Sequence, residues 1–313
     1  MKHGSTGALA LGVAIEKFPL KQPFHITGHT MTDADVVTVE LEQGGYVGRG
    51  DVGRGHVGRG RAGTGGGMTV VLHSWAASDT GPTRSHNEDA FVDRPDLGVW
   101  AVADGAGGHD AGEVASGMIA ETLGEIPAGL SAAEALIEIR DRIGAVHAAL
   151  LAEAASRGPE VIIASTAVIV CARGDHFACL WVGDSRAYLL SDGTLSQITR
   201  DHSLVQELVD AGQLAPEAAE SHPHANIVTR AVGAGEMEEF ALDKVTDQLR
   251  PGERLLLCSD GLSKCVPNEV IAAVLAELDE DPAARLIATA VARQTNDNVT
   301  AVVIEAREVE EAE

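Results

Sequence analysis

The chain reads as an α+β domain: two antiparallel sheets packed face to face, helices on the outsides, and a small β-meander on a Gly-rich linker in front. Three observations predict this. Strand patterns are joined by the tight turn signals Gly174-Asp175 and Asp192-Gly193. Helical periodicities stand in separate blocks, with few strand–helix–strand crossovers. Aromatic residues make up only 3% of a chain that is 45% hydrophobic, so Val, Ile, Leu and Ala must fill the layers between sheets and helices.

Taken in order, residues 1–46 carry the meander. Residues 13–18, 24–27 and 35–41 run apolar or alternate with β-branched residues, Gly44-Gly45 is a turn, and Tyr46-Val47 opens another short strand. Residues 47–67 repeat Val-Gly-Arg-Gly three times. That glycine content buries too little apolar surface to offset chain entropy, which predicts a flexible linker. Met68 follows it directly, so residues 1–67 are expected to be a fused or mis-joined leader and 68–307 the working domain. Within that domain strands are expected over 70–77, 90–92, 99–103, 165–171, 176–182, 187–190, 255–258 and 299–304. Ser131 and Glu134 form a capping box that opens a long helix, with Leu136, Ile139, Ile143, Val146 and Leu150 as its apolar stripe. Further helices are expected over 113–126, 203–211, 267–278 and 282–294. Residues 213–225 are polar and read as mobile, and 308–313 as an acidic tail.

The 23 basic and 47 acidic residues leave a formal charge of −24, which argues against a nucleic-acid or anionic-membrane surface. It permits a phosphorylated substrate where metal ions offset the local acid. No stretch approaches the ~20 apolar residues of a spanning helix, and no secretory signal is evident, so a cytoplasmic location is expected. Cys171, Cys179, Cys258 and Cys265 lack CxxC spacing and read as buried free thiols.

The informative pattern is a recurrence of acids at strand ends. Asp104, Asp184 and Asp260 each end an apolar run, Asp297 begins one, and Glu88-Asp89 lead into a fifth. One such acid is a turn former; five are not, because buried carboxylates need cations. Hard oxygen donors without thiolate or imidazole favour Mg²⁺ or Mn²⁺. Two ions ~3.5–4 Å apart would share a bridging carboxylate. Asp104 is the natural bridge, since the glycines around it let the Gly105 carbonyl also reach a metal.

The motifs Arg84-Ser-His-Asn-Glu-Asp89, Asp104-Gly-Ala-Gly-Gly-His109, Ser165-Thr-Ala167, Val182-Gly-Asp-Ser-Arg186, Thr199-Arg-Asp-His-Ser203, Val228-Thr-Arg-Ala-Val-Gly233, Cys258-Ser-Asp-Gly-Leu262 and Asp297-Asn-Val-Thr300 follow one another. This order resembles the metal-dependent type 2C Ser/Thr protein phosphatases in their bacterial form, over residues ~70–306. The resemblance implies a four-layer α-β-β-α sandwich and hydrolysis of phosphoserine and phosphothreonine by direct attack of a water activated at a binuclear Mn²⁺ or Mg²⁺ centre. It implies that Asp104 bridges two ions, that Glu88 and the Gly105 carbonyl serve one, and that Asp260 and Asp297 serve the other. Asp89 would hold metal-bound water, Asp184 with Asp260 would form a weaker third-ion site, and Arg84 would take the substrate phosphate. Residues 199–233 would include a flap that influences substrate choice. His109 and Asn298 would support the site from behind. Ala106 stands where eukaryotic relatives carry a histidine, leaving the leaving-group proton to another source.

Phosphoproteins, and Ser/Thr kinases paired with the enzyme, are the implied partners, and a monomer is expected. The competing reading is a catalytically inactive phosphoprotein-binding module of the same fold. Residues 11–50 separately resemble the first strands of the capping domain of enolase-superfamily dipeptide epimerases. The barrel that carries that family's site is absent from the chain, so no epimerase residue is assigned.

Overall fold

The computed structural model describes residues 10–26, 29–43, 46–52, 70–107, 111–159, 161–277 and 280–308. The chain divides into two compact units, Met1–Gly65 and Gly66–Glu313. The expected site residue His109, most of the linker and the tail beyond residue 308 lie outside the described residues.

The first unit holds three antiparallel strands, β1 (Ala10–Ile26), β2 (His29–Gln43) and β3 (Tyr46–Val52), in the order β1-β2-β3. Three strands stand where the meander was expected, with two corrections. β3 runs to Val52, paired with Val37, so residues 47–52 of the expected linker continue the ladder. A backbone ladder satisfies N–H and C=O groups whatever the side chains are, glycine included. The two separate strands expected over 13–27 are one strand with a register break between Pro19 and Phe24. Proline supplies no N–H to a ladder, so a break beside it is the physical expectation.

The second unit begins with β4 (Val70–Asp79), β5 (Asp89–Arg94) and β6 (Val99–Gly107). Helices α1 (Ala111–Gly124) and α2 (Ala132–Arg157) follow, then β7 (Ile163–Ser165), β8 (Ala167–Arg173), β9 (His176–Val182), β10 (Arg186–Ser191) and β11 (Thr194–Gln197). Next come α3 (Leu204–Asp210), β12 (Asp243–Gln248), β13 (Arg254–Cys258), α4 (Asp260–Ser263), α5 (Asn268–Ala276), α6 (Pro282–Ala292) and β14 (Val299–Glu308). One sheet has the order β11-β10-β13-β14-β4; the other has β12-β9-β8-β6-β5, with β7 paired to the end of β6. Every strand pair is antiparallel.

Strand alternation builds the layers. Along β6, Val99, Ala101 and Ala103 pack with Ile119, Leu123, Ile139 and Ile143 of α1 and α2. The intervening Trp100 and Val102 pack across to Leu255, Leu257, Val302 and Ile304 of the other sheet. The remaining residues of β13 and β14, such as Leu256, Cys258 and Val303, pack under Ile271, Leu275 and Leu286 of α5 and α6. The four layers are thus helices, sheet, sheet, helices. Burying one such aliphatic side chain contributes about 1.5–3 kcal/mol.

The expected capping box is formed: the Ser131 hydroxyl accepts from the Glu134 N–H, and the Glu134 carboxylate accepts from the Ser131 N–H. The Gly174-Asp175 turn joins β8 to β9, with Arg173 opposite His176. The Asp192-Gly193 turn joins β10 to β11, while β9 and β10 lie in different sheets.

One expectation, the single strand over 165–171, is corrected here. The strand expected over 165–171 is two strands, broken at Thr166, because Thr166 turns its backbone N–H to the Asp104 carbonyl at 2.9 Å. The polar stretch 213–225 is held by successive turn hydrogen bonds, including a 3-10 turn at Pro216–Ala218. Three of the four cysteines are buried free thiols as expected, and Cys265 is half-buried.

Candidate metal centre

The inter-sheet layer is apolar along most of its length and acidic at one end. Asp104 shares the inward parity of Trp100 and Val102 on β6. β6 does not stop there, as the glycines after it had suggested. It continues to Gly107, with Gly105, Ala106 and Gly107 paired to β7. Asp89 on β5 is the direct cross-strand partner of Asp104, so both carboxylates lie on the same face. From the opposite sheet, Thr300 extends the inward series Ile304 and Val302, and it and Ser259 donate to Asp89 Oδ2 at 2.8 and 2.7 Å. Two like charges directly opposite on a ladder are destabilising by themselves.

The backbone around these acids is clamped. The Asp104 N–H donates to Thr166 Oγ1 at 3.1 Å, and the Ser165 hydroxyl donates to the Asp104 carbonyl at 3.0 Å. Asn298 is a buried hub. Its Oδ1 accepts from the Glu88 N–H at 2.8 Å, and its Nδ2 donates to the carbonyls of Thr80 and His86 at 2.8 and 2.9 Å. Glycine is required at Gly105 and Gly261 among other places. A Cβ on Gly105 would lie 2.2 Å from the Gly112 carbonyl oxygen and 2.6 Å from that of Glu88. A Cβ on Gly261 would lie 1.9 Å from the Asn298 carbonyl oxygen. The motif glycines therefore let the acid-bearing segments approach one another.

Electrostatics single out Asp104. Burial, and then the charges of Asp89, Asp260, Asp184 and Asp297, push its carboxyl well above the usual range. Burial, opposed by the Ser259 and Thr300 hydroxyls, pushes Asp89 up to about 7. Glu88 is raised, chiefly by burial, and its carboxylate lies against Gly112. Among the described residues, no hydrogen bond or ion pair reaches the Asp104 carboxylate.

The outer acids are held by the chain's own cations. Arg84 Nη2 pairs with Asp297 Oδ2 at 2.7 Å, at a rim where both side chains are substantially exposed. Lys264 Nζ lies 2.7 Å from Asp260 Oδ2 and 3.1 Å from Asp184 Oδ2. Accordingly, no three acidic, His or Cys side chains among the described residues are drawn together tightly enough to form a closed ligand set. A cleft of about 530 Å³ opens beside these groups, lined by Arg84, Asn226, Asp260, Lys264 and Asp297 among others.

The donor set fits a divalent centre around Asp104. The group is a carboxylate with no internal cation, backed by a second acid, with Glu88, Asp260 and Asp297 carried on the segments packed around it. It does not fit a further ion between Asp184 and Asp260, because an ammonium already stands there. Of the residues expected from sequence, the fold gathers Arg84, Glu88, Asp89, Asp104, Gly105, Asp184, Asp260, Asp297 and Asn298 at one end of the sandwich. Ala106 is exposed and carries no proton to give.

Sequence reasoning missed Lys264, Ser259 and Thr300. The signals were present: Lys264 is four residues after Asp260, one helical turn on, and Thr300 is a polar residue on the inward parity of an apolar strand. His202 is buried; its Nδ1 accepts from the Gly183 N–H at 3.1 Å, and its carbonyl accepts from Thr229. These bonds tie the 199–203 stretch to Gly183 and Thr229.

The family described as Protein phosphatase 2C matches residues 83–302. The serine/threonine protein phosphatase PstP of Mycobacterium tuberculosis is 38% identical over 238 residues, covering 75% of this chain and 45% of that protein. The chain thus spans less than half the length of that relative. Serine/threonine phosphatase stp of Listeria welshimeri is 38% identical over 205 residues, 63% of this chain and 80% of that one. Among solved structures, PppA of Pseudomonas aeruginosa, described as a key regulatory component of T6SS, aligns with a TM-score of 0.70 and 40% identity, over 76% of this chain and 99% of that one. The PstP catalytic domain in complex with 2 manganese ions aligns with a TM-score of 0.66 and 34% identity, over 77% of this chain and 100% of that one. With the acidic end of the sandwich, these likenesses establish that the chain belongs to the protein phosphatase 2C family.

Proposed function

We propose that the chain is a phosphoserine/phosphothreonine protein phosphatase that works with two divalent ions held around Asp104. The observation that carries this reading is the Asp104 carboxylate itself: it feels the charges of four other acids, has no cationic or hydrogen-bonding partner among the described residues, and two of those acids, Asp260 and Asp297, line an open cleft. Asp104, Glu88 and the Gly105 carbonyl would hold one ion; Asp104, Asp260 and Asp297 would hold the other. When bound, Mn²⁺ or Mg²⁺ supplies Lewis acidity, which favours a hydroxide nucleophile at neutral pH and offsets phosphoryl charge.

The chain's own residues do the rest. Asp89, cross-strand from Asp104, keeps one oxygen committed to Ser259 and Thr300 and would leave the other as a proton-holding site. Arg84, at the mouth of the cleft, has a forked guanidinium suited to a phosphate monoester. Its present partner Asp297 would turn to a metal, freeing Arg84 for substrate. Substrates would be phosphoproteins, paired in the cell with Ser/Thr kinases.

The direct test is release of phosphate from a phosphothreonine peptide with Mn²⁺. Activity is expected with metal, lost with EDTA, and reduced about 10³-fold in Asp104→Asn, the scale of removing several kcal/mol of charge stabilisation. A folded wild-type chain that binds the peptide but never turns it over with any divalent ion would support the binding-module reading instead.

A further inference from the structure

The two-ion reading leaves Asp184 without a ligand role, and the structure gives it another partner. We infer that Lys264 is a built-in cation that takes the place of a third metal ion between Asp184 and Asp260, and that it ties the segment across the cleft to this position. The inference rests on the binuclear reading of the same site.

Three contacts carry it. Lys264 Nζ donates to Asp260 Oδ2 at 2.7 Å, to Asp184 Oδ2 at 3.1 Å and to Asn226 Oδ1 at 3.1 Å. An ammonium has three N–H donors, and all three are used. The stem is fixed by the backbone: the Lys264 N–H closes α4 on the Asp260 carbonyl at 2.8 Å, so the ammonium returns one turn to the acid that opens the helix. Asp184 is only 4% exposed, so removing its cation would leave a buried, uncompensated charge. Asp184 is itself held in place. It follows Gly183, whose φ of +105° and 2.6 Å approach to Thr166 admit no side chain, and it precedes Ser185, bonded to Thr166 Oγ1 at 2.6 Å.

The charge arithmetic separates this pair from Asp104. Asp184 and Asp260 share one internal positive charge, and Asp260 still has an oxygen to offer outward. A divalent ion entering between them would have to displace the ammonium from both carboxylates at once. The third contact extends the consequence. Asn226 belongs to the stretch between α3 and β12, and its backbone neighbours are anchored elsewhere, at Ser203↔Val228 and Ser165↔Val232. Lys264 is therefore a positioning residue that fastens the middle of this stretch to the acidic end, in a state that does not depend on how much metal is free.

The test is a count of bound metal, by calorimetry and by Mn²⁺ EPR on the EDTA-stripped and dialysed full chain. Wild type is expected to bind two Mn²⁺, and Asp184→Asn the same two. Lys264→Met, which keeps the stem and removes the charge, is expected to bind a third, weaker Mn²⁺, and Lys264→Met/Asp184→Asn to lose it again. Lys264→Arg should stay at two. A wild type that binds three ions, the third lost in Asp184→Asn, overturns the inference and leaves the binuclear reading intact. Lys264→Met remaining at two while folded also overturns it. If Lys264→Met fails to fold, the wild-type and Asp184→Asn counts decide alone. A wild type that binds no Mn²⁺ would instead defeat the binuclear reading, and this inference with it.

Discussion

The strand pair β13–β14 carries buried charge at both of its ends, and the two ends are built on opposite principles. At one end Arg254 and Glu305 are cross-strand partners, 4% and 9% exposed, joined at 2.9 Å. Arg254 also donates to the carbonyls of Leu275 and Glu277 at 2.8 Å, where α5 ends, and Arg307 pairs with the second Glu305 oxygen. Both Glu305 oxygens and the Arg254 guanidinium there have their partners inside the chain. At the other end β13 leads into Asp260, Asp297 lies just before β14, and these acids meet Asp104, Asp89 and Asp184 with, among the described residues, only Lys264 and Arg84 paired against them. A charge pair that serves the fold arrives complete. The acidic end arrives short of positive charge, and that deficit is what points to a ligand.

Three measurements bear on this contrast. The largest effect is expected from Arg254→Met. It leaves Glu305 with only the half-exposed Arg307 and strands two helix-end carbonyls, so unfolding by urea should show a loss of about 3 kcal/mol, with the Mn²⁺ count unchanged. A loss under 1 kcal/mol would mean that the pair is not what closes that end.

The second measurement is pH. Asp89 is raised in the folded chain to about 7 from its ordinary 3.8. Between those values the folded state keeps a proton that the unfolded state has lost, so its contribution falls as pH rises through the window. Against Asp89→Asn in EDTA, wild-type stability should decline by up to about 1.4 kcal/mol per pH unit. Mn²⁺ should flatten or reverse that decline. Glu305 behaves oppositely: burial raises it, but the hydrogen bonds from Arg254 and Arg307 win and lower it. Its contribution is present at neutral pH and disappears as pH falls below the ordinary carboxylate range. A parallel pH response at both ends would erase the distinction.

The smallest effect is expected from Asp104→Asn without metal. Removing one of two carboxylates directly opposite on a ladder should stabilise the metal-free chain by up to about 1 kcal/mol, or about 2–4 °C in Tm, while Mn²⁺ no longer stabilises it. A clear destabilisation would show that Asp104 serves the fold and not a ligand.

Much of the acidic end was legible before the fold. Asp104, Asp184, Asp260, Asp297 and Glu88-Asp89 each announced themselves by closing or opening an apolar run, because a carboxylate breaks the apolar pattern of a buried strand. Asn298 was legible as a supporting residue, though not as the hub that fixes Glu88, Thr80 and His86. Arg84 was legible as a member of the site; that it pairs with Asp297, 213 residues away, was not.

The sequence by itself determined what depends on near neighbours: the layered α+β class, the Ser131–Glu134 capping box, the Gly174-Asp175 hairpin, the strand-end acids and the glycines that let them close. Periodicity, capping and tight turns act over a few residues, so a linear reading reaches them. Only the tertiary structure decided that β9 and β10 part into different sheets, that β6 runs on past Asp104 to meet β7, that Asp89 lies across from Asp104, and that Lys264 stands between Asp184 and Asp260. Each of these depends on which distant strand supplies the next ladder, and on where that register places a charge. The physical reason is that a carboxylate's neighbours in a sandwich come from segments far apart in the chain, and Coulomb energy responds to distance in space alone.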